Sequence, residues 1–141
     1  MQVTQPSQDN DKSAPTPGED TLPCVLSFNA NDAVGAGGLT SDALVMASIG
    51  THALPVVTGA YLRDTRDASG WVPFAASAID DQARAVAEDV PLQTMKVGFL
   101  GSAEAVAMVA AFAADYADVP VVTFLPDLSW WDEPEIEAYL D

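Results

Sequence analysis

The sequence predicts an α/β fold in which a parallel sheet carries helices on both faces. Short runs rich in β-branched and other apolar residues alternate along the chain with segments whose apolar residues recur at helical spacing. These runs are apolar along their length, which is typical of strands buried on both sides. Because ligands of such sheets bind beyond the carboxyl ends of the strands, we expect a site among the loops that follow them.

The first predicted strand is CVLSFN, from Cys24 to Asn29. A helix is predicted from Leu39 to Ile49, with Thr40 or Ser41 as its N-cap. Gly50 stands where a left-handed residue commonly ends a helix.

The later elements follow the same alternation of apolar runs and helical patterns. Between Ser77 and Val90 the apolar residues fall on one face and the charged residues on the other, and Pro91 ends this amphipathic helix. The remaining predictions are strands at 53–61, 94–100 and 119–125, an exposed polar loop at 63–70, a helix from Ser102, and a fourth helix capped by Ser129 or Asp132.

The composition indicates one domain with a strongly acidic character. The chain has 141 residues, 49% of them hydrophobic, which is enough for one modest core. Acidic residues outnumber basic ones by 21 to 5, and the formal net charge is −16. This charge repels nucleic acids and anionic membranes, so neither is an expected partner. An anionic nucleotide would need Mg²⁺ and backbone donors to offset the same field.

The N-terminal segment and the single cysteine indicate the domain boundary and the cellular location of the protein. Residues 1–22 are polar and rich in proline, so we expect a disordered leader before a domain at 23–141. No signal peptide or long apolar span is apparent. Because Cys24 is the only cysteine, an intramolecular disulfide and a Cys/His metal cluster are excluded, and a cytoplasmic location is expected.

The glycine-rich stretch FNANDAVGAGGLTSD lies between the first strand and the first helix. It has no lysine for a P-loop, and Thr40 occupies the third glycine position of a dinucleotide-binding fingerprint. Glycines at a helix N-terminus still allow backbone N–H groups to approach a ligand. From the residues alone, a ligand loop, a plain turn and, less favoured, a dinucleotide-binding domain remain open.

Longer segments resemble one enzyme family. The stretches NDAVGAGGLTSDALVMASIGTHALPVVTGAYLRDT, DVPLQTMKVGFLGSAEAV and VPVVTFLPDLSWW are similar, in this order, to the opening half of the hydroxymethylpyrimidine/phosphomethylpyrimidine kinases of thiamine biosynthesis. This resemblance implies the N-terminal part of a ribokinase-like fold, an ATP- and Mg²⁺-dependent phosphotransferase, a small pyrimidine substrate and a possible homodimer.

The resemblance also implies roles for residues of the glycine-rich stretch. Asp32, Gly35, Gly37 and Gly38 match the loop that closes over the pyrimidine. Asp42 matches an aspartate that lines the pocket. An aspartate in the first turn of a helix also complements the helix dipole, and both roles can hold together.

Further positions come from the later strands. Lys96 and Gly98 match the Lys-x-Gly of the third strand, and Phe99 falls where the family has a methionine against the substrate ring. A core aromatic is the alternative interpretation of Phe99. Arg63 stands where the family has a glutamine that binds the pyrimidine edge. Unlike an amide, its guanidinium can only donate hydrogen bonds.

The end of the sequence departs from the family pattern. The tandem tryptophans Trp130 and Trp131 can cover the sheet edge, which we favour, or stack on a ligand. The family's catalytic loop, of Gly-x-Gly-Cys or Gly-x-Gly-Asp type, does not occur after Gly101. We therefore expect a truncated, substrate-side half that carries no catalytic residue and is inactive alone. The alternative function is a non-catalytic pyrimidine-binding module.

Overall fold

The computed structural model describes residues 21–141, so the predicted leader lies almost wholly outside the described residues. The helices and strands alternate as the apolar periodicity predicts, with one additional strand. Their bounds are β1 Cys24–Asn31, α1 Gly38–Ser48, β2 His52–Arg63, β3 Ala68–Pro73, α2 Ala76–Ala87, β4 Thr94–Val97, α3 Ala103–Asp115, β5 Val121–Thr123 and α4 Glu133–Leu140.

The five strands form one sheet in the order β3-β2-β1-β4-β5. β1 lies at its centre and pairs in parallel with β2 and β4, and β5 extends the parallel part beside β4. The predicted α/β class is therefore confirmed. Because the chain leaves β1 toward β2 and later returns to its other side at β4, the loops after β1 and β4 lie side by side at one edge.

The central strand shows that helices cover both faces of the sheet. Ser27 donates a hydrogen bond to Asp42 of α1, whereas its neighbour Phe28 packs edge-to-face against Phe112 of α3, with ring centroids 5.6 Å apart. Since successive side chains of a strand point to opposite faces, α1 and α3 lie on opposite sides.

The hydrophobic core lies on the face covered by α2 and α3. Leu26 and Phe28 of β1 and Met95 of β4 are completely buried there, together with Ile79 of α2 and Phe112 of α3. This packing explains why these strands are apolar and why the two helices are amphipathic. It fixes the position of β1 and β4 and of the loops that follow them.

One expectation was only partly right: of residues 63–70, only 64–67 form an exposed turn, and the rest belong to strands. β2 continues to Arg63, and β3 pairs with it antiparallel after a short turn. Asp64 stabilises this turn, since one of its carboxylate oxygens accepts hydrogen bonds from the backbone N–H groups of Arg66 and Asp67 at 2.7 and 2.9 Å. The segment ASGWVP has a turn-like composition, and its strand conformation comes from pairing with β2.

The predicted cap of the first helix was also wrong. α1 begins at Gly38, and its N-cap is Gly37, which offers no side-chain hydrogen bond, so Thr40 and Ser41 lie inside the first turn. The predicted end is confirmed, because Gly50 has φ +74°. Ser102 caps α3 by accepting a hydrogen bond from the N–H of Ala105. Asp132 precedes α4 but its side chain makes no capping bond.

None of the helices within residues 21–141 combines the length and apolarity needed to cross a bilayer.

Candidate substrate site

A cavity of about 560 Å³ opens at the edge of the sheet where the parallel strands end. The loops after β1, β2, β4 and β5 all contribute to its lining, as the expected parallel order requires. Six of the seven predicted substrate-binding residues line it, and Gly35 does not; the six are Asp32, Gly37, Gly38, Asp42, Arg63 and Phe99. Lys96 and Gly98, which match the family's third strand, line it as well.

Asp32 organises the loop between β1 and α1. It is 2% exposed, and its two carboxylate oxygens accept hydrogen bonds from the backbone N–H groups of Val34 and Gly37, each at 3.0 Å. Its backbone carbonyl accepts a third from Gly35, a residue with φ +74° that forms the turn. Asp32 thus fixes the path of the glycine-rich stretch from within the loop.

Gly38 is required where the loop enters α1. It has φ +62°, and a Cβ atom at this position would lie 2.4 Å from the backbone oxygen of Ala30. Because Gly37, the N-cap, carries no side chain, the first N–H groups of the helix are not covered by a cap. Gly37, Gly38 and Ser41 line the cavity, so the positive end of the helix dipole lies at its wall.

Asp42 is the centre of a polar network that joins α1 to the sheet. One carboxylate oxygen accepts hydrogen bonds from Ser27 at 2.7 Å and from the Asn29 amide at 3.0 Å, and the other forms an ion pair with Lys96 of β4. The Asp42 side chain is only 11% exposed. Three strand residues thus hold this carboxylate in place at the cavity wall.

This network changes the acidity of Asp42. Burial raises its pKa, but hydrogen bonds from Asn29, Lys96 and Ser27 and the charge of Lys96 outweigh burial, so the pKa lies below the ordinary 3.8. A lowered pKa in the folded state contributes stability that is present above the unfolded value and is lost as pH falls through the folded value.

We therefore expect the Asp42 contribution to decline as pH falls below 3.8. Replacing Asp42→Asn leaves Lys96 without its partner and lowers the free energy of unfolding at pH 7 by about 2 kcal/mol. Urea denaturation of both proteins between neutral and acidic pH measures the difference, which shrinks with acidification. Asp81→Asn, at an exposed position of α2, is the control. A constant difference across this range contradicts the assignment.

Asn29 links the network to the loop after β4. Its side-chain oxygen accepts hydrogen bonds from the N–H groups of Ala30 at 2.9 Å and Phe99 at 3.2 Å. A Cβ atom on Gly98 would lie 2.4 Å from the Asn29 side chain, so only glycine fits there. The Lys-x-Gly pattern at the end of β4 thus places Lys96, which pairs with Asp42, near Gly98, which leaves room for the Asn29 side chain.

Phe99 joins the cavity to an aromatic cluster. Its ring is fully buried, as expected of a core aromatic, and Phe99 also borders the cavity, as expected of a residue near the substrate ring. It stacks on Tyr61 with ring centroids 5.6 Å apart and meets the edge or face of four further rings. These belong to Trp71, Trp130, Trp131 and Tyr139.

The two tandem tryptophans have different positions in this cluster. Trp130 lines the cavity, whereas Trp131 packs edge-on against Phe99 and Tyr139 beside it. Burial raises the pKa of Tyr61 to about 12, with smaller contributions from Tyr139 and Asp32, so the Tyr61 hydroxyl stays protonated at neutral pH. The cavity wall formed by Phe99, Tyr61 and Trp130 is aromatic and uncharged, and the Trp130 ring stands nearly perpendicular to that of Tyr61, at 85°. Such a wall suits an apolar ring.

Arg63 closes the cavity from the end of β2. Its guanidinium Nη1 lies 3.7 Å from Asp32, and its Nε donates to the backbone oxygen of Asp64 at 3.1 Å. Arg66, in the turn that follows, also borders the cavity.

Several residues of this site were not predicted from the sequence. Ser27 and Asn29, two positions apart on β1, point to the same face, and their polar character within an apolar strand was the available signal. Tyr61 and Trp71 belong to the strand pair whose second member was not predicted. A binding role for each predicted residue stays a prediction.

Comparison with known proteins identifies the relatives of this site. The sequence pattern of the phosphomethylpyrimidine kinase family matches residues 32–126, which include the glycine-rich loop, Asp42 and Lys96. The chain belongs to the phosphomethylpyrimidine kinase family. The resemblance read from the sequence is thereby confirmed.

Curated relatives of the chain are named as kinases of this family. The chain is 36% identical over 110 residues to a hydroxymethylpyrimidine/phosphomethylpyrimidine kinase of Streptomyces coelicolor and 34% identical over 97 residues to one of Mycobacterium leprae. The matches cover 78% and 69% of this chain but 40% and 34% of those proteins. The chain thus spans well under half the length of these relatives.

Solved structures support the same fold. The phosphomethylpyrimidine kinase of Clostridium difficile superposes with a TM-score of 0.73 at 24% identity, covering 83% of this chain and 54% of that one. A pyridoxal kinase of Bacillus subtilis superposes with a TM-score of 0.67 at 16% identity, covering 73% of this chain and 39% of that one. The chain therefore has the fold of the ribokinase-like kinases.

Proposed function

We propose that this chain forms the substrate side of an ATP-dependent kinase that phosphorylates hydroxymethylpyrimidine or its monophosphate in thiamine biosynthesis. One observation carries the proposal: in a member of this family, a cavity with an aromatic wall and a glycine-rich rim lies at the carboxyl edge of the parallel strands. Such an edge is where ligands of open α/β sheets bind.

The residues of the cavity divide into two groups with different tasks. Tyr61 and Trp130 offer apolar surface to a planar ring, and the fully buried Phe99 packs behind them. At the start of α1, uncovered N–H groups near Gly38 can bind the oxygen of a hydroxymethyl group or of its phosphate. Asp42, held by Lys96, fixes the helix that carries these donors. This chain would thus bind and orient the substrate.

Phosphoryl transfer needs groups beyond this half of the site. In the proposed reaction the substrate hydroxyl attacks the γ-phosphate of ATP in line and ADP leaves. The sequence has no glycine after Gly101 and hence no Gly-x-Gly loop there. Among residues 21–141 no group of three His, Cys, Asp or Glu side chains could hold a metal. Mg²⁺ in kinase sites is held largely by the phosphates of the nucleotide together with one or two carboxylates.

An experiment must distinguish the proposed kinase function from two other functions. A non-catalytic module would bind the same pyrimidine without taking part in transfer, and a dinucleotide-binding domain would bind NAD instead. The use of ATP is supported by a structural relative, a pyridoxal kinase of Staphylococcus aureus whose structure was solved in complex with AMP-PCP. A cytoplasmic location and a homodimer stay predictions that accompany the kinase proposal.

Calorimetric titration of the 141-residue chain distinguishes these functions. We expect hydroxymethylpyrimidine or its monophosphate to bind with a Kd below about 1 mM, and NAD not to bind. We also expect no ADP when ATP, Mg²⁺ and substrate are supplied to this chain alone. Binding of NAD alone contradicts the proposal. Reading the coding DNA beyond Asp141 for a Gly-x-Gly-Asp or Gly-x-Gly-Cys loop separates the kinase from the module.

A further inference from the structure

Strand β5 forms one edge of the sheet and is exposed although it is largely apolar. Val121 and Val122 are 45% and 56% exposed, and Phe124 and Leu125, which follow the strand, are similarly accessible. Among residues 21–141, β5 pairs only with β4, so its outer edge has no strand beside it. Strands of a parallel sheet are normally covered on both faces. β5 thus has the composition of an inner strand in the position of an edge strand.

The register of β5 shows that both of its faces are open. Val121 lies opposite Met95, which is completely buried in the core, so Val121 is on the face covered by α2 and α3. The helices on that face nevertheless leave Val121 nearly half exposed. Val122 lies opposite Lys96 and hence on the other face, where Lys96 pairs with Asp42 of α1. Both faces and the outer edge of β5 are therefore accessible.

These three accessible surfaces limit what can cover β5. A single extended peptide would pair with the edge and leave both faces exposed, whereas an added strand with helices on its two sides covers all three surfaces. A second copy of this chain is a poor fit. Asp118 and Asp127, both exposed, flank β5, and a copy would add its own net charge of −16 beside them. The geometry therefore favours a different α/β polypeptide.

The position of β5 connects such a polypeptide with the cavity. Phe124, directly after β5, lines the cavity, and its N–H donates a hydrogen bond to the backbone oxygen of Val97 at 2.9 Å. A strand added in parallel to β5 would end at the same edge of the sheet. The loop after that strand would then lie beside the open side of the cavity. The relatives of this chain contain further polypeptide of this kind, since the chain covers 40% and 34% of two of them.

We propose that β5 docks the remaining α/β portion of a phosphomethylpyrimidine kinase, supplied by a second polypeptide, which extends the sheet by a strand parallel to β5. The docking surface consists of Val121, Val122, Phe124 and Leu125. Docking brings the loops of the partner to the cavity, where phosphoryl transfer needs groups beyond those of this chain. The inference rests on the proposed function, because it identifies the partner that completes the same site.

Co-expression tests the docking. The full 141-residue chain, carrying an affinity tag, is produced together with the portion of the Streptomyces coelicolor kinase that follows the segment matched by this chain. The expected result is an equimolar complex. In this complex the amide hydrogens of β5 should exchange at least about tenfold more slowly than in the chain alone. The amide hydrogens of β3, at the opposite edge of the sheet, should exchange at an unchanged rate.

A matched pair of variants locates the contact. Val122→Asp should weaken the complex by at least about tenfold, because docking would bury an unpaired carboxylate. Val72→Asp is the control, since Val72 is 47% exposed on β3, at the other edge of the sheet, and the same substitution there should leave the complex intact. Thermal unfolding of each variant alone checks that it folds.

The outcomes separate this inference from the function on which it rests. Absence of a complex, while the chain alone binds hydroxymethylpyrimidine, overturns the docking and leaves the proposed function standing. A complex that neither binds hydroxymethylpyrimidine nor forms ADP from ATP has the opposite meaning. Self-association of the chain through β5, seen by sedimentation, assigns the surface to a second copy and overturns the inference. If the partner portion is insoluble, its fusion after Asp141 decides: unchanged amide exchange in β5 contradicts the docking.

Discussion

Replacing Gly38 with alanine is expected to lower the free energy of unfolding by about 3 to 5 kcal/mol and to abolish ligand binding. The residue has φ +62°, and the added methyl group would lie 2.4 Å from the backbone oxygen of Ala30. The strain of a left-handed conformation and the overlap with a strand carbonyl each cost about 1 to 3 kcal/mol. Relieving this overlap requires a shift of the loop or of β1, and either shift moves the rim of the cavity. Chemical denaturation and calorimetric titration measure the two effects.

Gly50→Ala is the matched control for this change. Gly50 also has positive φ, at +74°, but no atom lies within 4 Å of the position of an added Cβ. It ends α1 on the side away from the cavity, so alanine there should cost only about 1 kcal/mol and leave binding unchanged. Similar stability losses in the two variants would contradict the close contact between Gly38 and Ala30.

Replacing Phe99 with alanine is the second change with a large expected effect. The side chain is fully buried and contacts five aromatic rings from β2, β3, the loop after β5 and α4. Removing a buried phenyl ring costs about 3 to 5 kcal/mol, because the surrounding rings cannot fill the space completely. Urea denaturation followed by tryptophan fluorescence measures the loss, since all three tryptophans lie in this cluster.

Two further variants separate the packing role of Phe99 from its place at the cavity wall. Phe74→Ala removes a ring that is 43% exposed and should cost less than about 1.5 kcal/mol. Phe99→Met keeps most of the volume, so it should cost under about 1.5 kcal/mol and retain binding. If Phe99→Met folds but no longer binds any ring compound, an aromatic side chain is itself required. If Phe99→Ala costs no more than Phe74→Ala, the cluster does not stabilise the site.

The sequence predicts the fold well because the periodicity of apolar residues reflects burial. Strand β1 and helix α2 have clear patterns, since the strand is buried on both faces and the helix on one. β3 was missed because its residues resemble a turn and become a strand only by pairing with β2. The cap of α1 was missed for a related reason. Gly37 is the N-cap because the loop folds back so that its N–H can donate to the Asp32 carboxylate, and local helix-capping preferences do not include this contact.

The site was predictable only in part. The glycine-rich loop, Asp42 and Lys96 follow from short segments and from family resemblance. Their assembly does not, because Asp42 and Lys96 are far apart in sequence and meet only when β4 lies beside β1. The aromatic cluster around Phe99 similarly draws Trp71 and Tyr139 from distant elements. Contacts of this kind depend on strand order, which the sequence pattern leaves open.

The proposed function depends above all on the cavity at the carboxyl edge of the sheet, which must hold the ring of a small hydroxymethylated substrate. Backbone amide NMR signals, followed during the ligand titration, report on this cavity residue by residue. We expect the signals of Gly37, Gly38 and Phe99 to shift together and to saturate with the calorimetric Kd, while those of α2 stay in place. Saturable binding that leaves these three signals unchanged and moves others would contradict substrate binding in the cavity.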